Sequence, residues 1–210
     1  YNNINFGNSS NQAHDATEPE TALARMEAVA AFNIPLLGPK MIWQFGELGY
    51  DFSINACPDG TVNPDCRTAN KPVRWDYYFE PERQRLYKVY AAINKLKTEN
   101  EAFSSTNYNY DVDGFGKRLI IQHPSMDVVI IANFGVEPLS FIPGFTQPGV
   151  WYDYFSGTSV VENNLSNPFL LQPGEYRIYT TEPLETPDLS VNEVQVTLQV
   201  DMSLETPSPI

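Results

Sequence analysis

Few residues of this chain have the types and spacing that chemistry needs. Histidine occurs twice, as His14 and His123, and neither stands in a cluster of cysteines or carboxylates that would complete a metal site. Ser9, Ser10 and Cys57 have no histidine base that sequence places beside them, so a nucleophilic triad has no support. No glycine-rich phosphate loop is present. The Asp-Val-Asp-Gly run at 111–114 offers two carboxylates without the spacing of a calcium loop, and it predicts a turn. What remains is one carboxylate and a group of aromatic rings. Glu47 stands where an apolar run (Met41, Ile42, Trp43, Phe45) gives way to Gly46 and Gly49. That is how the carboxyl end of a short buried strand looks in sequence. The segment from Gly46 to Glu80 has no periodicity but carries Tyr50, Phe52, Trp75, Tyr77 and Tyr78, flat surfaces on which pyranose rings can stack. A structureless loop longer than about 12–15 residues usually has a functional reason.

Charge narrows the partners. The 210 residues carry 26 acidic and 13 basic side chains, a net charge of −13, which repels nucleic-acid phosphates and anionic membrane surfaces and favours a neutral ligand such as a sugar. A hydrophobic content of 42%, with 13% aromatics, is enough for a real core. Neither a membrane-spanning run nor a signal peptide is apparent. The start at Tyr1, inside a polar stretch, reads as a piece of a longer protein. The only cysteines, Cys57 and Cys66, lie in NACPDGTVNPDCRT without the further ligands a metal would want. A disulfide is favoured over two free thiols, and it implies an oxidising compartment. Closing a loop of about ten residues contributes roughly 2.7 kcal/mol on the loop-entropy account.

The elements that must position these residues follow in order. Residues 1–16 read as an Asn-rich loop. Thr17 and Glu20 have capping-box spacing, Pro19 sits in the first turn, and Ala22, Leu23, Met26, Val29 and Ala30 recur at helical spacing until Pro35. A helix, the buried strand at 41–45 and then a second helix make the grammar of a parallel α/β sheet. In the second helix, which starts near Pro81, Leu86, Val89, Tyr90, Ile93 and Leu96 form one apolar face, with charged residues assigned to the other. From Ala102 the period changes. Runs at 119–123, 128–134, 150–155 and 176–181, separated by Gly, Pro and Asn, predict an antiparallel β-sandwich. After a proline-bearing linker, the alternation of Val194, Val196, Leu198, Val200 and Met202 predicts one further strand.

The string GPKMIWQFGELGYD at 38–51 resembles the eighth barrel strand of the alpha-amylase family, glycoside hydrolase family 13, and is most similar to the secreted amylases of Bacteroidetes-like bacteria. KPVRWDYYFEPERQRLYKVYAAINKLK at 71–97 resembles the last loop and eighth helix of that barrel. IIANFG, GVWYDYFSG and LQPGEYRIYTT resemble the β-sandwich that follows it, near-continuously to Thr181. The resemblance implies three parts: residues 1–101 as the C-terminal end of a (β/α)8 TIM barrel, 102–182 as the sandwich, and 183–210 as a linker and the first strand of a further β-module. It implies that the loop after Phe45 faces substrate, with Glu47, Tyr50 and Trp75 as its candidate residues, and that Glu47 organises the barrel rim instead of acting as a catalytic acid. Arg74 and Asp76 are then a structural ion pair.

Retaining glycosidases use two carboxylates about 5–5.5 Å apart. The resemblance places both of them, and a third Asp in a His-Asp motif, before Tyr1. His14-Asp15 looks like that motif, but no apolar run precedes it as a strand and no Arg follows within the next few residues. NNINFGNSS resembles a stretch that comes after the true motif, so His14 and Asp15 read as solvated loop residues. The expectation is therefore the C-terminal part of a secreted, periplasmic or cell-surface α-glucan hydrolase whose partner is starch or a maltodextrin. No cofactor is assigned to this stretch, and calcium stays open for the parent enzyme. The competing expectation is a non-catalytic starch-binding protein that uses Trp151, Tyr152 and Tyr154.

Overall fold

The computed structural model describes residues 2–191, so the predicted strand at 194–202 lies outside the described residues. Two long helices lie on one face of an antiparallel sheet, and a two-stranded ribbon covers the other. Helix α1 (Asn2–Phe6) and a single 3-10 turn at Gln12–His14 occupy the stretch expected to be loop throughout. Helix α2 runs from Pro19 to Asn33 and α3 from Pro81 to Glu99, each with a proline in its first turn, where a missing N–H removes no helical bond.

The main sheet is built from β1 (Tyr108–Asp111), β2 (Gly116–Ile121), β3 (Val128–Asn133), β5 (Gly149–Asp153), β6 (Ser159–Glu162) and β8 (Tyr176–Thr180), in the order β1-β2-β3-β8-β5-β6. Every pairing is antiparallel. Strands β4 (Leu139–Phe141) and β7 (Phe169–Leu171) pair as the ribbon. β3 reads VVIIAN and is buried along its whole length, because it has strands on both edges and packing on both faces. Val128, Ile130 and Ile178 point into one core, with Leu119 and Ile121, against Ala30, Ile34, Val89, Ile93 and Leu96 of the helices. Val129, Ile131, Trp151 and Tyr179 point the other way, onto Phe145 and Leu171. The alternation along β3 thus joins two cores through one sheet. This is mostly β architecture with few helices, and the expected sandwich strands at 119–123, 128–134, 150–155 and 176–181 fall on β2, β3, β5 and β8. The four shorter strands carried no run long enough to be read.

Three expectations are corrected. No strand forms at 41–45: Met41, Ile42 and Trp43 are exposed, and Gln44 and Phe45 turn the chain with positive φ of 21° and 56° into a 3-10 turn at Gly46–Leu48. A parallel strand needs hydrogen-bonding neighbours, and among the described residues none lies beside this stretch. The capping box is absent, since Glu18 is the N-cap and makes no side-chain bond, while the Thr17 hydroxyl donates instead to Asp15 Oδ1 at 2.6 Å. Finally, the polar face assigned to α3 is incomplete. Arg83 and Gln84 are buried with the apolar stripe, for a reason given below.

Beyond β8, residues 182–191 run back along α3. Leu184 and Leu189 pack on the first core, and Lys88 and Lys95 face Asp188 and Glu185 at 4.0 and 3.8 Å.

Candidate functional site

The long loop between α2 and α3 holds most of the aromatic side chains picked out by sequence, and a buried arginine fixes them in place. Arg83 enters from the first turn of α3. Its Nη1 donates to the carbonyls of Leu48 and Gly49 at 3.0 and 2.7 Å, its Nη2 to Asp51 Oδ2 at 2.9 Å, and its Nε to Glu80 Oε2 at 2.6 Å. Four acceptors for one guanidinium satisfy the fork that burial would otherwise leave unpaired. Tyr77, 1% exposed, lies between two cations, with the guanidinium carbons of Arg83 and Arg74 at 3.7 and 4.0 Å from its ring centre. The Tyr77 hydroxyl donates to Asp51 Oδ1. Burial by itself would raise the Asp51 carboxyl. The Tyr77 hydrogen bond and the Arg83 charge outweigh it and hold the group below the usual carboxylate range. Burial and the Asp51 carboxylate push the Tyr77 phenol far up.

Around this centre the rings touch in sequence. Tyr50 contacts Phe52 at 5.4 Å, Phe45 at 6.0 Å, Trp43 at 6.2 Å and Tyr77 at 6.4 Å between centroids. The Trp75 indole stands edge-on to Phe45 at 4.8 Å. The Tyr50 hydroxyl donates to the Pro72 carbonyl at 2.7 Å, which ties the start of the loop to its end. Trp75 remains 72% exposed and Trp43 45%, so the cluster presents two indoles to solvent over a fixed aromatic base.

The outer part of the loop is closed by the Cys57–Cys66 disulfide, with Cα atoms 5.0 Å apart. Lys71 plugs it. The Lys71 ammonium donates to the carbonyls of Ala56, Cys66 and Arg67 at 2.9, 2.6 and 3.3 Å, so all three of its protons have acceptors.

The structure brings Tyr50 and Trp75 together through Phe45. It places Glu47 elsewhere, in a depression of about 380 Å³ facing α3 with Ile42, Gln44, Tyr87, Tyr90 and Asn94. There burial, and secondarily the Glu47 charge, raise the Tyr90 phenol. Arg74 and Asp76 do pair, at 2.7 Å, but on the surface, where such a pair stabilises little. The ion pair that organises the loop is Arg83–Asp51. A sequence signal for it exists: Arg83 lies three and seven residues before Leu86 and Tyr90, on their face.

His14 and Asp15 are half-buried and partnered, not solvated. His14 Nε2 lies 3.1 Å from Arg25 Nη1, and Arg25 in turn donates to the carbonyls of Gly135 and Phe134 at 3.0 and 2.7 Å. They belong to the joint between α2 and the sheet. Asp15 receives the Thr17 N–H at 2.8 Å. Trp151 and Tyr154 are 0% and 6% exposed, with the Tyr154 hydroxyl bonded to the Ala92 carbonyl at 3.1 Å. Trp151 points from β5 into one core and Tyr154, in the turn just after β5, packs into the other, so neither offers a face to starch. Asp111 ends β1, and residues 112–115 form the β1–β2 hairpin turn, with Gly114 at φ 62°. Among the described residues no group of three or more His, Cys, Asp or Glu gathers to hold a metal.

Compared with family models and with curated protein sequences, the chain matches none. Compared with solved structures, it matches several chains, among them AmyP and an alpha-amylase. AmyP in complex with maltose aligns at a TM-score of 0.57 and 16% identity over 85% of this chain. A substituted AmyP in complex with maltotriose aligns at 0.61 and 16% over 84%. The alpha-amylase from Geobacillus thermoleovorans, complexed with acarbose, aligns at 0.55 and 14% over 75%. The chain has the fold of the C-terminal region of these amylases. It spans only 38%, 38% and 33% of their lengths, respectively. At such identities the likeness is one of fold.

Proposed function

We propose that this chain is the C-terminal part of a secreted, retaining α-glucan hydrolase of the alpha-amylase family. In this reading residues 1–101 complete a (β/α)8 barrel with residues outside this sequence, and the β domain braces it. The observation that carries the reading is the state of Met41, Ile42 and Trp43. They form an exposed apolar stretch, 83%, 42% and 45% exposed, that leads directly into a rigid aromatic rim, in a chain whose fold is shared with amylases. A run of that kind is stable when sheet neighbours cover it.

The rim's role is to bind, not to cleave. Trp75 and Trp43 supply stacking surfaces for neutral pyranose rings, and the Tyr50–Phe45–Tyr77 base holds them still, so little side-chain entropy is lost on binding. The Arg83–Asp51 pair fixes the loop that carries them. The nucleophile and the acid/base carboxylates, which retaining hydrolysis needs about 5–5.5 Å apart, come from the rest of the barrel. The disulfide supports an oxidising destination.

The test uses starch. The 210-residue chain is expected to release no reducing sugar, while the product extended by the coding sequence before Tyr1 is expected to hydrolyse starch with retention of configuration. Hydrolysis by the 210-residue chain itself overturns the allocation of roles. An extended product whose barrel lacks the carboxylates moves the protein to the class of non-catalytic glucan binders.

A further inference from the structure

Of the expected sandwich aromatics Trp151 and Tyr154 are buried and Tyr152 is half-buried, while the sheet exposes a different pair. Tyr108 and Tyr110 stand on β1, the edge strand, 41% and 58% exposed. Their ring planes are inclined by only 19°, with centroids 6.4 Å apart, close to the roughly 7 Å that separates alternate residues of a strand. In the antiparallel register Tyr108 lies opposite Ile121 and Tyr110 opposite Leu119, so the four share one face. Leu119 and Ile121 are core residues, 1% and 3% exposed, while the tyrosines carry the same face outward past the edge of the core.

The fold does not require these rings. Edge strands are ordinarily blunted by charge, and two aromatic rings on one are a liability unless something binds there. The hairpin that carries them is braced. Arg118 faces Asp111 at 3.8 Å and donates to the Ile142 carbonyl at 3.1 Å, and the Lys117 ammonium closes on the turn carbonyls of Val112 and Gly114. The rings therefore sit on backbone that is already ordered. Asp111 and Asp113 flank them, and the chain as a whole carries −13, so an anionic partner is repelled and a neutral, polyhydroxylated one is not.

We infer that Tyr108 and Tyr110 form a second glucan-binding platform, on the sheet edge and distinct from the Trp75 rim, which takes successive sugars of a long α-glucan chain by stacking. The inference rests on the proposed α-glucan specificity. Its role is to hold a polysaccharide rather than a short oligosaccharide, because two separate surfaces on one rigid body gain from a ligand long enough to reach both.

Native electrophoresis through gels containing amylopectin tests it, with plain gels as reference. The full chain is compared with Trp75→Ala, which removes the rim, and with Tyr108→Ala/Tyr110→Ala and Tyr108→Phe/Tyr110→Phe in both backgrounds. Sedimentation and thermal unfolding are measured on each. The full chain and Trp75→Ala are expected to be retarded, the double Ala variant to lose at least threefold of the retardation left in the Trp75→Ala background, and the double Phe variant to keep it. Unchanged retardation in the double Ala variant, or none in the full chain or in Trp75→Ala, overturns the platform. So does a change in self-association without a change in retardation, which makes the edge a contact between copies. Failure of the amylase reading is seen separately, in the starch hydrolysis of the extended product.

Discussion

The guanidinium carbon of Arg83 lies over the ring of Tyr77, 3.7 Å from its centre, while both residues bond the same carboxylate, Asp51. This three-residue joint connects the first turn of α3 to the two ends of the aromatic loop. The rim leans on it, because Tyr50 lies in irregular chain and Trp75 opens only a short 3-10 turn at Trp75–Phe79.

Arg83→Ala is expected to destabilise the chain by at most about 3–5 kcal/mol, the effect of breaking a fully buried pair, reduced here because the Asp51 side chain is 30% exposed. The melting temperature should fall by on the order of 10 °C. Arg83→Lys should recover little, since an ammonium cannot reach four acceptors in the plane of a fork. Differential scanning calorimetry of the three proteins decides this, and equal stability of the Lys variant would refute the fork argument.

Acid should weaken the fold in two separable stages. His14 is lowered, first by burial and then by the Arg25 charge beside it, so the folded state binds its proton less readily than the unfolded chain. Glu27, Glu175 and Tyr176 line the same depression. Stability present above about pH 6.5 is therefore lost as pH falls toward the lowered value. Asp51 is also held low, so its contribution persists until pH falls below about 4 and is lost through the folded value. Urea midpoints measured across pH should show both stages in the natural chain. His14→Gln should lack the first and keep the second.

Reducing the disulfide, or Cys57→Ser with Cys66→Ser, should remove about 2–3 kcal/mol at most. The lost protection should be local. Amide exchange is expected to rise across 53–71, where Lys71 holds the Ala56, Cys66 and Arg67 carbonyls, and to stay unchanged in β3. Loss of protection in β3 would mean that the loop and the sheet unfold as one unit.

Gly49→Ala should destabilise by more than about 1 kcal/mol. Gly49 has φ +68°, and an added Cβ would lie 2.2 Å from Leu23 Cδ2. Gly114→Ala, which has the same sign of φ but open space around it, should cost less. Paired thermal melts separate strain from crowding.

Trp151→Ala should cost about 3–5 kcal/mol, as a cavity in the core against Phe145, without changing glucan retardation in proportion to the folded protein present. A selective loss of retardation in folded protein would return Trp151 to the list of binding residues.

The legible parts of the chain were those with strong local periodicity. The stripe Leu86, Val89, Ile93, Leu96 fixed α3 because a 3.6-residue period admits one buried face. VVIIAN fixed β3 because β-branched residues in a short continuous run pack well only in a buried strand. The strand expected at 41–45 failed although its composition was right. Apolar content says that a segment will be covered, while the covering residues are not adjacent in sequence. Arg83 was assigned to solvent by type, since charge predicts exposure until the acceptors that bury it are known.

The sequence by itself determined the two helices, the main strands, the closeness of Cys57 to Cys66 along the chain, the acidic charge that turns anions away, and the resemblance to the amylases. Each of these is written in neighbouring residues or in composition. Only the tertiary structure decided which aromatics face water. It buried Trp151 and Tyr154, exposed Trp75 with Tyr108 and Tyr110, gathered Asp51, Tyr77 and Arg83 into one joint, and drew His14 against Arg25. The physical reason is that exposure and pairing depend on where the chain returns to itself, and those returns join residues far apart in sequence, which no local pattern encodes.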